Sequence, residues 1–363
     1  MRSKLLCLFL LLISMAAKAA PGELKVSLDF ESAQVITWLL SGKTVTDAQI
    51  NQAAAVYGNQ QLIKKVKGYS GFGEDVFKST LKEIIETGTI KGNDPYNWKM
   101  VKANLPAIQN LLGKLAQNQQ AFLNDVTAII QAYTPAEVSA EVRACFLVGG
   151  GSLGFVIGDE KTFNVALQKI GDDYEGLKYL VAHELYHSMQ GAGQAMRKKN
   201  KEKNAPYYVQ ASYALAYNVW CEGTANLVGD FAQVKNPAPF SKVQADEWQK
   251  NADRKGENFY LFESLLYKSH NDTASRGYET FYNIAFTTAY DETSYFTGYE
   301  MAKKIEKYSG KKVIANILVQ DPLVFFEEYI KLYKAHPEDT SFIRFDASTE
   351  LIISRLAVWK DRL

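Results

Sequence analysis

The stretch Leu180-Val181-Ala182-His183-Glu184-Leu185-Tyr186-His187-Ser188-Met189 decides how this chain is read. Its apolar residues recur at helical spacing. His183 and His187 stand four apart, so on a helix they share one face with Cβ atoms about 5–6 Å apart. Two neutral imidazoles at that separation can reach a single divalent ion at the roughly 2.0–2.1 Å of a Zn–N bond. Glu184 sits one step further round, beside such an ion rather than on it, where a carboxylate can hold and deprotonate a water. The chain has only four histidines in 363 residues, His183, His187, His270 and His336. At that frequency a chance H-E-x-x-H arises well under about 1% of the time. Apart from Glu184 nothing charged lies between Leu180 and Met189, whereas a helix that merely displayed two histidines to solvent would be flanked by Lys and Glu.

A catalytic zinc usually takes three protein ligands and keeps one open position. In the H-E-x-x-H-x-x-G-x-x-H pattern the third ligand would fall at position 193, which is Gly193, so that arrangement is excluded. In Trp220-Cys221-Glu222-Gly223-Thr224-Ala225 a lone carboxylate lies in an apolar run, 35 residues after His187. Burying a carboxylate without a partner is costly, and metal ligation offsets that cost. A structural ion pair would do the same. Two neutral histidines and Glu222 would leave one zinc ion at net +1, enough to acidify water toward neutrality.

With these residues in view, H-E-x-x-H followed by E-G-x-A resembles the gluzincin group of zinc metallopeptidases, which contains thermolysin and the zinc aminopeptidases. Tyr295-Phe296-Thr297-Gly298 is similar to the Y-x-x-G element of the aminopeptidase branch, and the chain looks closest to bacterial exported families described as zinc-dependent peptidases. The resemblance covers about residues 147–329. It implies a peptide or protein substrate, one Zn2+ held by His183, His187 and Glu222, Glu184 as general base, and Tyr295 as donor to the oxyanion of the tetrahedral intermediate. Tyr299 is the nearest competitor for that last place. Thermolysin-like enzymes carry an Asp four residues after the ligating Glu; here Asn226 stands there and is a candidate to orient a ligating histidine. The G-x-M-E-N segment with which the aminopeptidases anchor a free amine is missing, and Gly149-Gly150-Gly151-Ser152 is no equivalent. An endopeptidase or a narrow-specificity peptidase is therefore as much implied as an aminopeptidase. The alternative is an exported zinc-binding protein on a peptidase scaffold that catalyses nothing, although Glu184, which binding alone does not need, is present.

The remaining chain sets the context. Arg2 and Lys4, the apolar run from Leu5 to Met15 and Ala17-Lys18-Ala19 read as a signal peptide over residues 1–19. That run is far shorter than the roughly 20 residues of a spanning helix. The mature protein is expected to be exported, periplasmic or secreted, with no membrane span. Lys+Arg 41 against Asp+Glu 40 leaves no electrostatic footprint for nucleic acid. Cys145 and Cys221 are too few for a disulfide framework and either pair once or stay as small buried residues.

The expected fold class is α+β, mainly α: a zincin-like catalytic region with a small sheet packed on the H-E-x-x-H helix, and helical N- and C-terminal parts. Leu24, Val26, Leu28 and Phe30 alternate as an opening strand, and helical spacing fills most of the N-terminal region 20–140. The catalytic region, 141–363, opens with strand-like runs at 144–148, 153–158 and 163–167; a strand edge there could pair with an extended peptide, and an ordinary buried hairpin is an equal alternative. The active helix is expected to start at Asp172, Asp173 or Glu175 and to end at Gly191 and Gly193. Residues 198–203 read as a solvated basic loop. Helices follow over 207–231, 245–268, 294–308 and 323–333.

Overall fold

A computed structural model of the protein describes residues 23–157, 161–197, 205–272 and 276–363. The signal peptide and the basic loop expected at 198–203 lie outside these. The fold is 68% helical with one small mixed sheet, which agrees with the mainly α expectation. In chain order come β1 (Leu24–Asp29), then the helices α1 (Glu31–Ser41), α2 (Asp47–Ala55), α3 (Tyr57–Ser70), α4 (Glu74–Thr87), α5 (Trp98–Ala103), α6 (Leu105–Gln117) and α7 (Gln119–Gln131). The remaining strands follow as β2 (Ala140–Leu147), β3 (Gly154–Phe155) and β4 (Thr162–Ala166). The second helical set is α8 (Tyr174–Met196), α9 (Tyr207–Val228), α10 (Pro239–Asp253), α11 (Lys255–Asn271), α12 (Tyr278–Phe286), α13 (Thr293–Ser309), α14 (Lys311–Ile317), α15 (Leu323–Ala335) and α16 (Ala347–Ala357).

The sheet runs in the order β1-β2-β4-β3. β1 and β4 flank β2 in parallel, with Val26 opposite Val142 and Phe146 opposite Val165; β3 is antiparallel to β4, with Phe155 opposite Asn164. Every residue of β4 is buried, as expected of a strand covered on both faces. Arg143 on β2 reaches Asp29 at the end of β1 in an ion pair and stacks over the Tyr57 ring. One hydrophobic core runs from Leu24 to Leu356 and includes residues of both helical sets and of the sheet.

α8 lies against β2 and β4 and between α7 and α9. Asp173 starts it: one carboxylate oxygen accepts the Gly176 N–H at 2.7 Å and the other accepts the Ser241 N–H at 2.8 Å, so a single side chain caps α8 and ties down α10. The expected end at Gly191 and Gly193 is wrong, since the helix continues to Met196. Gly193 is there for a neighbour, not for a break. A Cβ on it would lie 2.5 Å from the Leu318 carbonyl oxygen. Next to it the Gln194 amide donates to the carbonyls of Leu318 and Gln320 at 3.0 and 2.9 Å. The helix expected over residues 245–268 is divided at Arg254.

The glycines of the E-G-x-A and Y-x-x-G elements meet. α9 and α13 cross so closely that a Cβ on Gly223 would lie 2.3 Å from the Gly298 backbone, and one on Gly298 would lie 2.1 Å from the Val219 carbonyl oxygen. No side chain fits there, so the crossing fixes Glu222 on one helix relative to Tyr295 on the other. Gly298→Ala separates two effects of opposite sign. Helix propensity alone would stabilise by about 1 kcal/mol. Overpacking against backbone costs about 1–3 kcal/mol or more, and backbone cannot rotate away. The variant is expected to melt several degrees lower, read by circular dichroism; a higher Tm would mean that the helices are not in contact here.

Candidate metal centre

His183 and His187 project from the middle of α8 and Glu222 from α9, and their ligand atoms converge. His183 Nε2 lies 3.2 Å from His187 Nε2, while Glu222 Oε2 lies 3.3 Å from His187 Nε2 and 3.7 Å from His183 Nε2. Four ligands at about 2.0–2.1 Å in a tetrahedron stand roughly 3.3–3.4 Å apart, so this triangle is the right size for one zinc ion. All three groups are largely buried, with side-chain exposures of 13, 26 and 18%.

The chemistry of the donor set also fits an ion. Gln190, one turn beyond His187, donates its amide to the Cys221 carbonyl at 2.7 Å and to Thr224 Oγ1 at 2.8 Å. A carbonyl can only accept, so the other end of the amide, Oε1, must face His187 Nδ1, 2.7 Å away. Nδ1 then carries the proton and Nε2 presents a lone pair to the centre. The side chain that orients His187 is thus Gln190. Asn226, which the spacing offered for such a role, lines the cavity beside His183, and no hydrogen bond joins it to either histidine among the described residues. Gln190→Leu is expected to weaken metal affinity about 10–100-fold by freeing the His187 ring, measured by competition with a chelator.

Glu184 stands outside the ligand triangle and rests against the edge strand. A Cβ on Gly154 would lie 2.9 Å from Glu184 Oε1, so only glycine leaves the carboxylate its place. Burial raises the Glu184 pKa, with the nearby histidines opposing. For Glu222 burial also acts upward, yet His187 and His183 outweigh it and hold its carboxyl well below the usual range. Conversely, Glu222 outweighs burial at His187 and holds that imidazole well above its ordinary value. Without a metal, the pair keeps a proton on His187.

His183 and Glu184 line a cavity of about 790 Å³. On one side it is bounded by residues 151–154, which lead into β3, the free edge of the sheet. The turn before it needs its glycines: Gly149 and Gly150 have φ of 112° and 74°, and Gln168 clamps both carbonyls at 3.0 Å. An apolar part of its lining is formed by Phe231, Phe240, Val243, Trp248 and Phe296. Tyr295 also faces this space, and its hydroxyl has no hydrogen-bond partner among the described residues; Tyr299, by contrast, is buried against Trp248. The two cysteines are free thiols, Cys145 buried and Cys221 with its sulfur 3.4 Å from His187 Nδ1.

The model of a protein family described as "Putative zinc dependent peptidase (DUF5700)" matches residues 50–338. The chain belongs to this family. The match takes in α3 to α15 and every residue of the centre, and the family's zinc dependence is consistent with one metal ion at His183, His187 and Glu222. Neither the curated proteins nor the solved structures yielded a match. Among the described residues no helix is long and apolar enough to cross a membrane.

Two groups at the site were missed in the sequence. Gln190 carried a legible signal, a polar residue one turn from His187 on the helix face that α9 covers. Glu292 carried none. It lines the cavity with the backbone at φ 49°, a position set by the entry into α13.

Proposed function

We propose that this member of the family is a gluzincin-type, zincin-like peptidase that cleaves peptide bonds in exported, periplasmic or secreted surroundings. The observation that carries the reading is the ligand triangle with Glu184 beside it in a cavity bordered by a free strand edge. When bound, zinc supplies a Lewis acid that polarises a carbonyl and lowers the pKa of water.

The chain's own residues supply the rest. The open edge of β3 offers backbone groups to an extended peptide, which would align the scissile bond across the mouth of the triangle. The apolar wall, with Phe240 and Trp248 at its centre, suits a hydrophobic side chain of that peptide. Glu184 takes a proton from the attacking water and passes it to the leaving amine; burial brings its pKa toward working pH, as a base of this kind needs. Tyr295 donates its hydroxyl to the oxygen that gains charge, an interaction typically worth about 3–4 kcal/mol in the barrier. Its proton is secure, because burial pushes its pKa well up.

The test is metal analysis of the mature chain together with cleavage of a mixed peptide library. One equivalent of zinc, with cleavage lost to chelator and regained with zinc, is the expected result. A chain that contains no stoichiometric metal and takes none up would end this reading. Stoichiometric zinc without cleavage of any peptide would favour the binding-protein alternative.

A further inference from the structure

We propose that Glu292 is the part of the cavity that receives a positively charged group of the substrate, either the free α-amino group of a peptide or the side chain of a Lys or Arg. The proposal rests on the peptidase reading and adds a specificity to it.

Glu292 lines the same cavity as His183, Glu184 and Tyr295, and it is near enough to Glu222 and His183 to feel their charges. Among the described residues its carboxylate has neither a hydrogen-bond donor nor a cation as partner. Arg254 and Lys250 are held by its neighbour: Asp291 pairs with Arg254 at 2.8 Å and with Lys250 at 2.9 Å. The lysine on the cavity wall, Lys169, donates to the Gly151 carbonyl at 2.7 Å, on the side of the strand edge.

A partly buried carboxylate without a partner is an unfavourable arrangement for folding alone. Burial pushes the Glu292 carboxyl above its ordinary value. The backbone adds strain. Asp291 and Glu292 both adopt left-handed conformations, φ 60° and 49°, which a non-glycine residue seldom does. The Glu292 N–H is held by the Thr287 carbonyl at 3.1 Å, and its carbonyl accepts the Tyr295 N–H at 2.9 Å. This turn presents Glu292 to the cavity three residues before Tyr295. An arriving ammonium or guanidinium would supply the missing partner and restore the ionised form.

Three peptides of one sequence test this: one with a free N-terminus, one N-acetylated and without basic residues, and one N-acetylated with a single Lys introduced. kcat/KM is measured for the wild type, Glu292→Gln and Glu292→Asp, and binding is measured by calorimetry in a Glu184→Gln background. At least one charged peptide is expected to be preferred over the neutral one by about 10–100-fold. That ratio should fall toward one in Glu292→Gln and be partly kept in Glu292→Asp; which charged peptide wins names the source of the cation. A ratio near one in the wild type, or one that Glu292→Gln leaves intact, would overturn the proposal. So would a second equivalent of metal that disappears in Glu292→Gln. Failure of the peptidase reading looks different: no peptide is cleaved by any variant, while calorimetry still reports the charge preference or its absence. Circular dichroism confirms that the Gln variant folds, as expected when an unpaired carboxylate is removed.

Discussion

Glu184→Gln is expected to keep one equivalent of zinc per chain and to lose peptide hydrolysis by about 10²–10⁴-fold or more. The two halves of this expectation come from different parts of the geometry. Metal retention follows because Glu184 is outside the triangle formed by His183, His187 and Glu222. Loss of hydrolysis follows because glutamine has the same shape and cannot accept a proton. It also fits the same niche, with its amide against Gly154 where the carboxylate oxygen now rests. The backbone around the ligands is thus undisturbed, and a fall in rate reads the missing base rather than a shifted site. Metal content by elemental analysis and kcat/KM on a cleaved peptide are measured on the same sample. A variant that cleaves at the native rate would remove Glu184 from the role of base; one that loses its metal would show that the carboxylate supports the ligands in a way the structure does not suggest.

How much of this was legible in the sequence differs from residue to residue for physical reasons. His183 and His187 were readable because a helix has a fixed period, so spacing alone puts them on one face. Glu222 was readable because a carboxylate in an apolar run demands a partner. The start of α8 was readable only as Asp172, Asp173 or Glu175, and the second bond of Asp173 to Ser241, 68 residues away, was not readable at all. The glycines were misread. Gly191 and Gly193 looked like a helix end, since local propensity says so, yet Gly193 is set by how near Leu318 comes, and only the tertiary contact carries that information. Gly223 and Gly298 each belonged to a recognised element, while the reason they occur together, the crossing of α9 and α13, shows only in three dimensions. For the orienting partner of a ligating histidine, spacing within α9 suggested Asn226, whereas Gln190 on α8 is the side chain bonded to His187, through its anchors on Cys221 and Thr224. The mainly α class and the strand-like runs before the active helix followed from periodicity. The parallel pairing of β1 with β2, across seven helices, did not.

Glu222→Gln is expected to abolish stoichiometric metal binding, and with it the stabilisation that metal brings. Removing a direct ligand should cost more than the roughly 10–100-fold lost when an orienting partner goes. An affinity loss of about 10³ decides the outcome: zinc at 1,000 times the wild-type Kd adds about 4.1 kcal/mol, and the same concentration is then only near the Kd of the variant, adding under about 0.5 kcal/mol. The wild-type Tm should therefore rise on zinc addition and fall with chelator, while the Tm of Glu222→Gln hardly moves. Glutamine keeps the shape but neither the charge nor the hold on the proton at His187. In the metal-free wild type that imidazole is kept protonated by the adjacent carboxylate, which outweighs burial. An ion arriving there must displace the proton, so wild-type zinc affinity should weaken as pH falls. With the carboxylate gone, His183 Nε2 and His187 Nε2 still face each other 3.2 Å apart, but no anionic ligand completes the triangle between them. A Glu222→Gln chain that still holds one zinc, and still melts higher for it, would place the third ligand elsewhere and undo the assignment of α9 to the centre.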